Sequence, residues 1–198
     1  MNKNTWIAVA VIVVVIIIGF FAFGQKASAP QVQRSAPATT TGGQTETGVP
    51  SYMSADDNFS VNFPVTPQMT KTTFKSPTAG SIPRTEYVAQ SSSGYYITSV
   101  YHYPKTYQFS SGYLAGALQL FMSAVNAKYP GAKLVSQSPA QFLGNPAITA
   151  TISVTIAGEP ATGYLLVATK NQNTYGIGTY DVNQTDYDAF INSFSFTQ

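Results

Sequence analysis

An α+β domain behind one N-terminal transmembrane helix is the architecture predicted for this 198-residue chain by three observations. Trp6 to Gly24 is an uncharged apolar run. Residues 147–180 alternate apolar and polar side chains across two tight turns. Residues 114–125 and 184–193 repeat apolar side chains at helical spacing.

The apolar run comes first. As a helix, its 19 residues cover roughly 28 Å, close to the ~30 Å hydrocarbon core of a bilayer. Its Val and Ile residues are poor helix formers in water, but lipid forces the backbone to bond within the segment. Trp6 stands at one edge, and Gln25 and Lys26 close the other. A cleaved secretory signal has a shorter apolar region of about 7–15 residues. Ala27-Ser28-Ala29 resembles a cleavage site, but Pro30 follows and Lys26 precedes it, so an uncleaved anchor over 6–24 is expected. Lys3 and the amino terminus nearly balance Lys26 and Arg34, which leaves the charge rule without a decisive bias. A cytoplasmic tail of residues 1–5 and an extracytoplasmic domain are expected, because a short anchor with a polar linker commonly exports the domain behind it.

Residues 25–50 are rich in Ala, Thr, Gln, Pro, Gly and Ser and show no apolar period. Such a segment buries too little surface to offset its ordering entropy. It reads as a flexible spacer with an end-to-end distance of roughly 28 Å.

Residues 51–198 are expected to form one globular domain. Phe59, Val61 and Phe63 alternate with Ser60 and Asn62, and Pro64 stops the run. Strands are also expected over Ile82–Ala89 and Tyr95–Tyr103, the latter entered through Gly94 and ended by Pro104. Leu114, Ala117, Leu118, Phe121 and Val125 form one helical stripe, with Ser110 or Ser111 as the expected cap and Pro130-Gly131 as the stop. Ile148, Ala150, Ile152, Val154 and Ile156 share one strand face, opposite Thr149, Thr151, Ser153 and Thr155. Turns at 158–160 and 171–173 continue this strand into 162–169 and 174–180, an antiparallel meander. A closing helix runs from about Gln184 to Ser193, with Thr185 and Asp188 at capping-box spacing. The order β–β–β–α–β–β–β–β–α predicts an antiparallel sheet with packed helices.

Several pieces resemble the PsbP/Mog1-like superfamily: NFSVNFP (58–64), YYITSVYHYP (95–104) and the helix after it, LGNPA (143–147) and FINSFSF (190–196). The resemblance covers about residues 55–198. It implies an α/β/α sandwich around an antiparallel sheet. It also implies a binding module, since members of that superfamily are mostly non-catalytic; no functional residue is carried over.

Chemistry-bearing motifs are sparse. Cys is absent, which removes disulfides and thiolate chemistry. Arg84 and six Lys balance five Asp and two Glu over 51–198, so no basic patch points to nucleic acid. His102 is the single His. It lies mid-strand with Glu86 as its nearest carboxylate in sequence, and Thr98 and Val100 share its face, which favours a packed or edge role over catalysis. Asp181, Asn183 and Thr185 echo a calcium loop. Asp186 stands where Gly is required and Asn192 where Glu is, so helix capping explains these side chains better. Asp56-Asp57-Asn58 reads as a turn before a strand. Gly176-x-Gly178 lacks the third glycine of a phosphate fingerprint.

No catalytic residue, metal ligand or cofactor is therefore expected, and the chain is read as a non-enzyme. Tyr95, Tyr101 and Tyr103 share one strand face, and His102 lies on the other. These four are the candidate interaction surface, because Tyr is enriched at interfaces. The expected role is a single-pass, membrane-anchored, extracytoplasmic binding or scaffolding domain, accessory to a membrane or envelope complex through a protein partner. A cell-envelope glycan or small-ligand binder using the Tyr-rich strand is the alternative. A pilin-like surface subunit is a further one, opposed by Pro30, Pro37 and the lack of a processing motif.

Overall fold

The computed structural model describes residues 51–76 and 79–197. The expected tail (1–5), anchor (6–24) and spacer (25–50) lie outside the described residues. Among the described residues no helix is long and apolar enough to cross a membrane.

The meander read from residues 147–180 is the centre of the architecture. β7 (Asn145–Ile156), β8 (Glu159–Lys170) and β9 (Asn173–Tyr180) pair antiparallel in sequence order. β6 (Lys133–Phe142) joins through a two-residue turn, Leu143-Gly144, with φ of 50° and 76°. Ala157-Gly158 turns β7 into β8 with φ of 52° and 91°. Both turns need positive φ at each central residue, the twist that suits a tight hairpin, and glycine supplies the second position without strain.

β3 (Gln68–Ser76), β4 (Gly80–Ser91) and β5 (Gly94–His102) extend the sheet to seven strands in the order β3-β4-β5-β9-β8-β7-β6. A second sheet, β1-β2-β10, is built from β1 (Ser51–Ser54), β2 (Phe59–Asn62) and β10 (Ser195–Phe196). The strands located in the sequence all occur, whereas β1, β3, β6 and β10 have no residue range among those expectations. β3 is an edge strand with almost wholly exposed side chains, so QMTKTTFKS carries no apolar alternation to read. β1 and β10 are too short for any period.

Each face of the large sheet has its own core. Helix α1 (Tyr113–Lys128) sets Ala117, Leu118 and Val125 against Ile148, Ala150, Ile152, Val154, Leu165 and Val167. On the other face, helix α2 (Gln184–Ser193) and β2 bring Phe190, Phe59, Val61 and Phe63 onto Tyr87, Tyr96, Val100, Leu166 and Ile177. Sheet-rich with two helices, the domain is α+β.

Both caps differ from expectation. The N-cap of α1 is Gly112, without a side-chain bond; Ser110 contributes only its carbonyl, which accepts from the Tyr113 N–H at 3.0 Å. The N-cap of α2 is Asn183, whose Oδ1 accepts from the Asp186 N–H at 2.9 Å. Asn183 Nδ2 donates back to the Asp186 carboxylate at 3.0 Å. The cap is thus Asn183, with Asp186 as its partner, two residues earlier than the expected Thr185–Asp188 box, and Asn183 holds extended backbone.

Candidate functional site

The polar cluster with the most chemistry lies where the β1–β2 turn meets the large sheet. Ser54 ends β1, and its Oγ accepts from the Asp57 N–H at 3.3 Å, which curls the turn inward. Asp57 is 1% exposed. Burying a carboxylate is costly unless donors replace water, and four side chains surround this one. His102 Nε2 lies 2.6 Å from Oδ1, and Thr85 Oγ1 donates to the same oxygen at 3.4 Å. The Tyr87 hydroxyl donates to Oδ2, where Ser54 Oγ is also within 3.5 Å. Ser54 Oγ lies 2.7 Å from the Tyr87 hydroxyl.

The next layer of side chains fixes the state of the imidazole. The Tyr175 hydroxyl donates to the Asp57 backbone carbonyl at 3.0 Å and accepts from Asn173 Nδ2 at 3.2 Å. That orients the Asn173 amide with its oxygen toward His102 Nδ1, 3.0 Å away. Both ring nitrogens therefore face acceptor oxygens, and both must donate. That arrangement favours the protonated ring. The hydrogen bond to Asp57 raises the His102 pKa above its ordinary value, against the opposing effect of burial. Burial pushes the Asp57 carboxyl up, but the hydrogen bonds from His102 and Tyr87 and the charge of His102 together hold it below its usual range. Desolvation beside this carboxylate raises the Tyr87 phenol well above its usual pKa.

With both ring nitrogens donating, the imidazole has no lone pair to accept a proton. Ser54 is bonded to Tyr87 and Asp57 rather than to His102, so no nucleophile–base pair forms. What the geometry does is tie the β1–β2 turn to β4, β5 and β9. Among the described residues, no group of three or more His, Asp or Glu gathers as a metal site.

Sequence proximity points to Glu86 as the carboxylate nearest His102, and the structure separates the two. Glu86 lies on the opposite face of β4, where Arg84 pairs with it and Ser99 Oγ donates to it at 3.1 Å. The true partner is Asp57, which the sequence marks only as part of a turn. It is 45 residues from His102 along the chain, and no local pattern links the two.

The Tyr-rich strand is interior, and its two faces lead to different places. Tyr101 lies edge-on to Phe121 of α1 and Phe74 of β3, with centroids 5.6 and 6.0 Å away. Tyr103 is 9% exposed and joins Tyr107, Phe109 and Tyr113 in a ring cluster. Tyr95 is half-buried, with Lys128 Nζ 5.0 Å from its ring. His102 points away from all three, toward Asp57. The structure thus places Tyr101 and Tyr103 within the α1-side packing and does not join His102 to them.

No family model matches the sequence. No curated protein matches it. Among solved structures, the chain is similar to cyanobacterial PsbP (CyanoP) from Synechocystis sp. PCC 6803, with TM-score 0.54 and 15% identity, covering 81% of this chain and 99% of that one. A Pseudomonas aeruginosa protein of unknown function matches at TM-score 0.34 and 10% identity over 70% of this chain and 85% of its own. At these identities only a shared fold follows, and only the first likeness is close enough to carry it. Seven antiparallel strands with a helix on each face, matched along the whole length of the cyanobacterial protein, make this a PsbP-like fold.

Proposed function

We propose that this chain is a membrane-anchored, extracytoplasmic accessory domain that binds or scaffolds a protein partner and performs no catalysis. The observation that carries the reading is the closure of the Asp57–His102 cluster. The donors and acceptors that resemble catalytic machinery are consumed in joining one turn to the sheet. The PsbP-like fold is compatible with such a role. The apolar run over 6–24 supplies the anchor, and residues 25–50 the reach.

The test is cross-linking of the full-length chain in its native membrane, with residues 1–50 alone as control. One defined protein should be captured reciprocally, and only when residues 51–198 are present. Turnover of an envelope substrate by the purified chain, abolished by Asp57→Asn, would overturn the reading. Deleting residues 1–24 should move the protein from the membrane pellet to the supernatant; retention in the pellet would remove the anchor.

A further inference from the structure

The sheet face that carries α2 is not uniform. Near Phe142, Ala147 and Ala168 it is apolar and covered by Phe194 and Phe196. Farther along the same strands it becomes a field of hydroxyls. Ser136 pairs with Thr151, and Thr151 with Tyr164, in one cross-strand row. Ser138 and Thr149 form the neighbouring row. The Tyr164 ring stacks on Tyr187 of α2, with centroids 5.0 Å apart and planes 27° apart.

Two hollows meet at Tyr164. One, of about 310 Å³, lies among Ser136, Ser138, Thr149, Thr151, Gln184 and Asp188. The other, of about 270 Å³, runs past Thr162, Asp181 and Asn183. The first matches the lower end of ligand-pocket sizes, roughly 300–1,000 Å³. Neither is lined by Lys or Arg, so an anionic ligand would meet Asp181 and Asp188 without a counter-charge. Neither has the deep apolar pocket that anchors a peptide side chain. What they offer is neutral hydroxyl and amide groups, two carboxylate acceptors and the stacked rings of Tyr164 and Tyr187. The Asp188 carboxylate is already positioned, accepting from Gln184 Nε2 at 2.7 Å.

We infer that this trough binds a neutral oligosaccharide laid across Tyr164. A pyranose has an apolar C–H face that packs on an aromatic ring, and a rim of hydroxyls that donate to carboxylates and exchange bonds with Ser, Thr and Gln. Tyr164 is backed by Tyr187, so its ring is held in place before the ligand arrives. Two hollows that share Tyr164 suit consecutive sugar units rather than a single compact molecule. The site stands independently of the anchor and of any protein partner.

The experiment titrates the full-length chain in lipid nanodiscs with cellotetraose, maltotetraose and the N-acetylglucosamine tetramer, read by saturation-transfer NMR and calorimetry. At least one probe should bind at millimolar concentration or below. Tyr164→Ala should weaken it tenfold or more. Because that variant also removes the stack on Tyr187, the pair Ser136→Ala with Thr151→Val is tested alongside, with an unchanged melting temperature and a severalfold loss expected. No binding by any probe at roughly 10 millimolar, a concentration that detects even weak association, would overturn the inference. So would binding that the Ser136/Thr151 pair leaves unchanged, or equal binding of a sulfated oligosaccharide.

Discussion

Asp57 concentrates more consequence than any other side chain in the described domain. It is a buried carboxylate whose charge is met by His102, Tyr87, Thr85 and Ser54. Asp57→Ala removes the acceptor from all of them and leaves an imidazolium without its counter-ion, so a loss of about 3–5 kcal/mol is expected in urea unfolding. Asp57→Asn preserves the shape and should cost less. A loss under 1 kcal/mol (about the value of an ordinary exposed pair) for Asp57→Ala would show that the cluster is not a tether. The same pair sets a pH window. His102 has its pKa raised in the fold above 6.5, so its contribution is complete below 6.5 and fades as pH rises through the folded value. Asp57 has its pKa lowered below 3.8, so its contribution is complete above 3.8 and fades as pH falls through the folded value. The tether should be strongest between those limits. Since His102 is the single His, its loss should flatten the decline above pH 6.5. Equal unfolding midpoints for the native chain at pH 5.5 and pH 8.5 would contradict the assignment of an imidazolium.

At the scale of elements, two contrasts are decisive. Gly176 sits in β9 directly beneath α1, and a Cβ placed there would lie 2.1 Å from the Phe121 ring. The glycine makes room for a helix, which is why Gly176-x-Gly178 belongs to a strand and not to a phosphate loop. Gly176→Val should overpack this contact and destabilise the domain by about 1–3 kcal/mol; a neutral result would mean that Phe121 has other space to occupy. The start of α2 supplies the second contrast. Asn183→Ala should cost about 1 kcal/mol through loss of the cap, whereas Thr185→Ala should stay within about 0.5 kcal/mol. The reverse order in thermal melts would restore the box to Thr185–Asp188. Sequence spacing points to Thr185–Asp188, and the extended backbone at Asn183 places the cap two residues earlier.

For the molecule as a whole, stability comes from aromatic packing on two faces, with few charges. Tyr and Phe supply 22 of residues 51–198, and the α2 side stacks Phe59 on Phe194 at 5.4 Å and sets Phe190 against Phe63 and Tyr96. The β1-β2-β10 sheet shares that core. The Asp57 cluster then fixes the orientation of its first turn with directional bonds that the rings cannot provide. A protein built in this way displays its remaining polarity on the sheet. The hydroxyl rows of β6 and β7 and the exposed strand β3 carry much of it.

Elements whose residues alternate between core and solvent are legible in the chain. The Ile148–Ile156 alternation, the 114–125 stripe and the aromatic closing helix each record one buried face in a local period. Strands with no buried face, such as β3, leave no such record. The Asp57–His102 pair leaves none either, because its contact depends on how the β1–β2 turn docks on β5, 45 residues away. The same holds for the Tyr164 trough, which gathers β6, β7, β8 and α2. Periodicity reports what one element does with its own faces. Which polar groups meet across elements is decided by sheet order and register, and these exist only once the chain has folded.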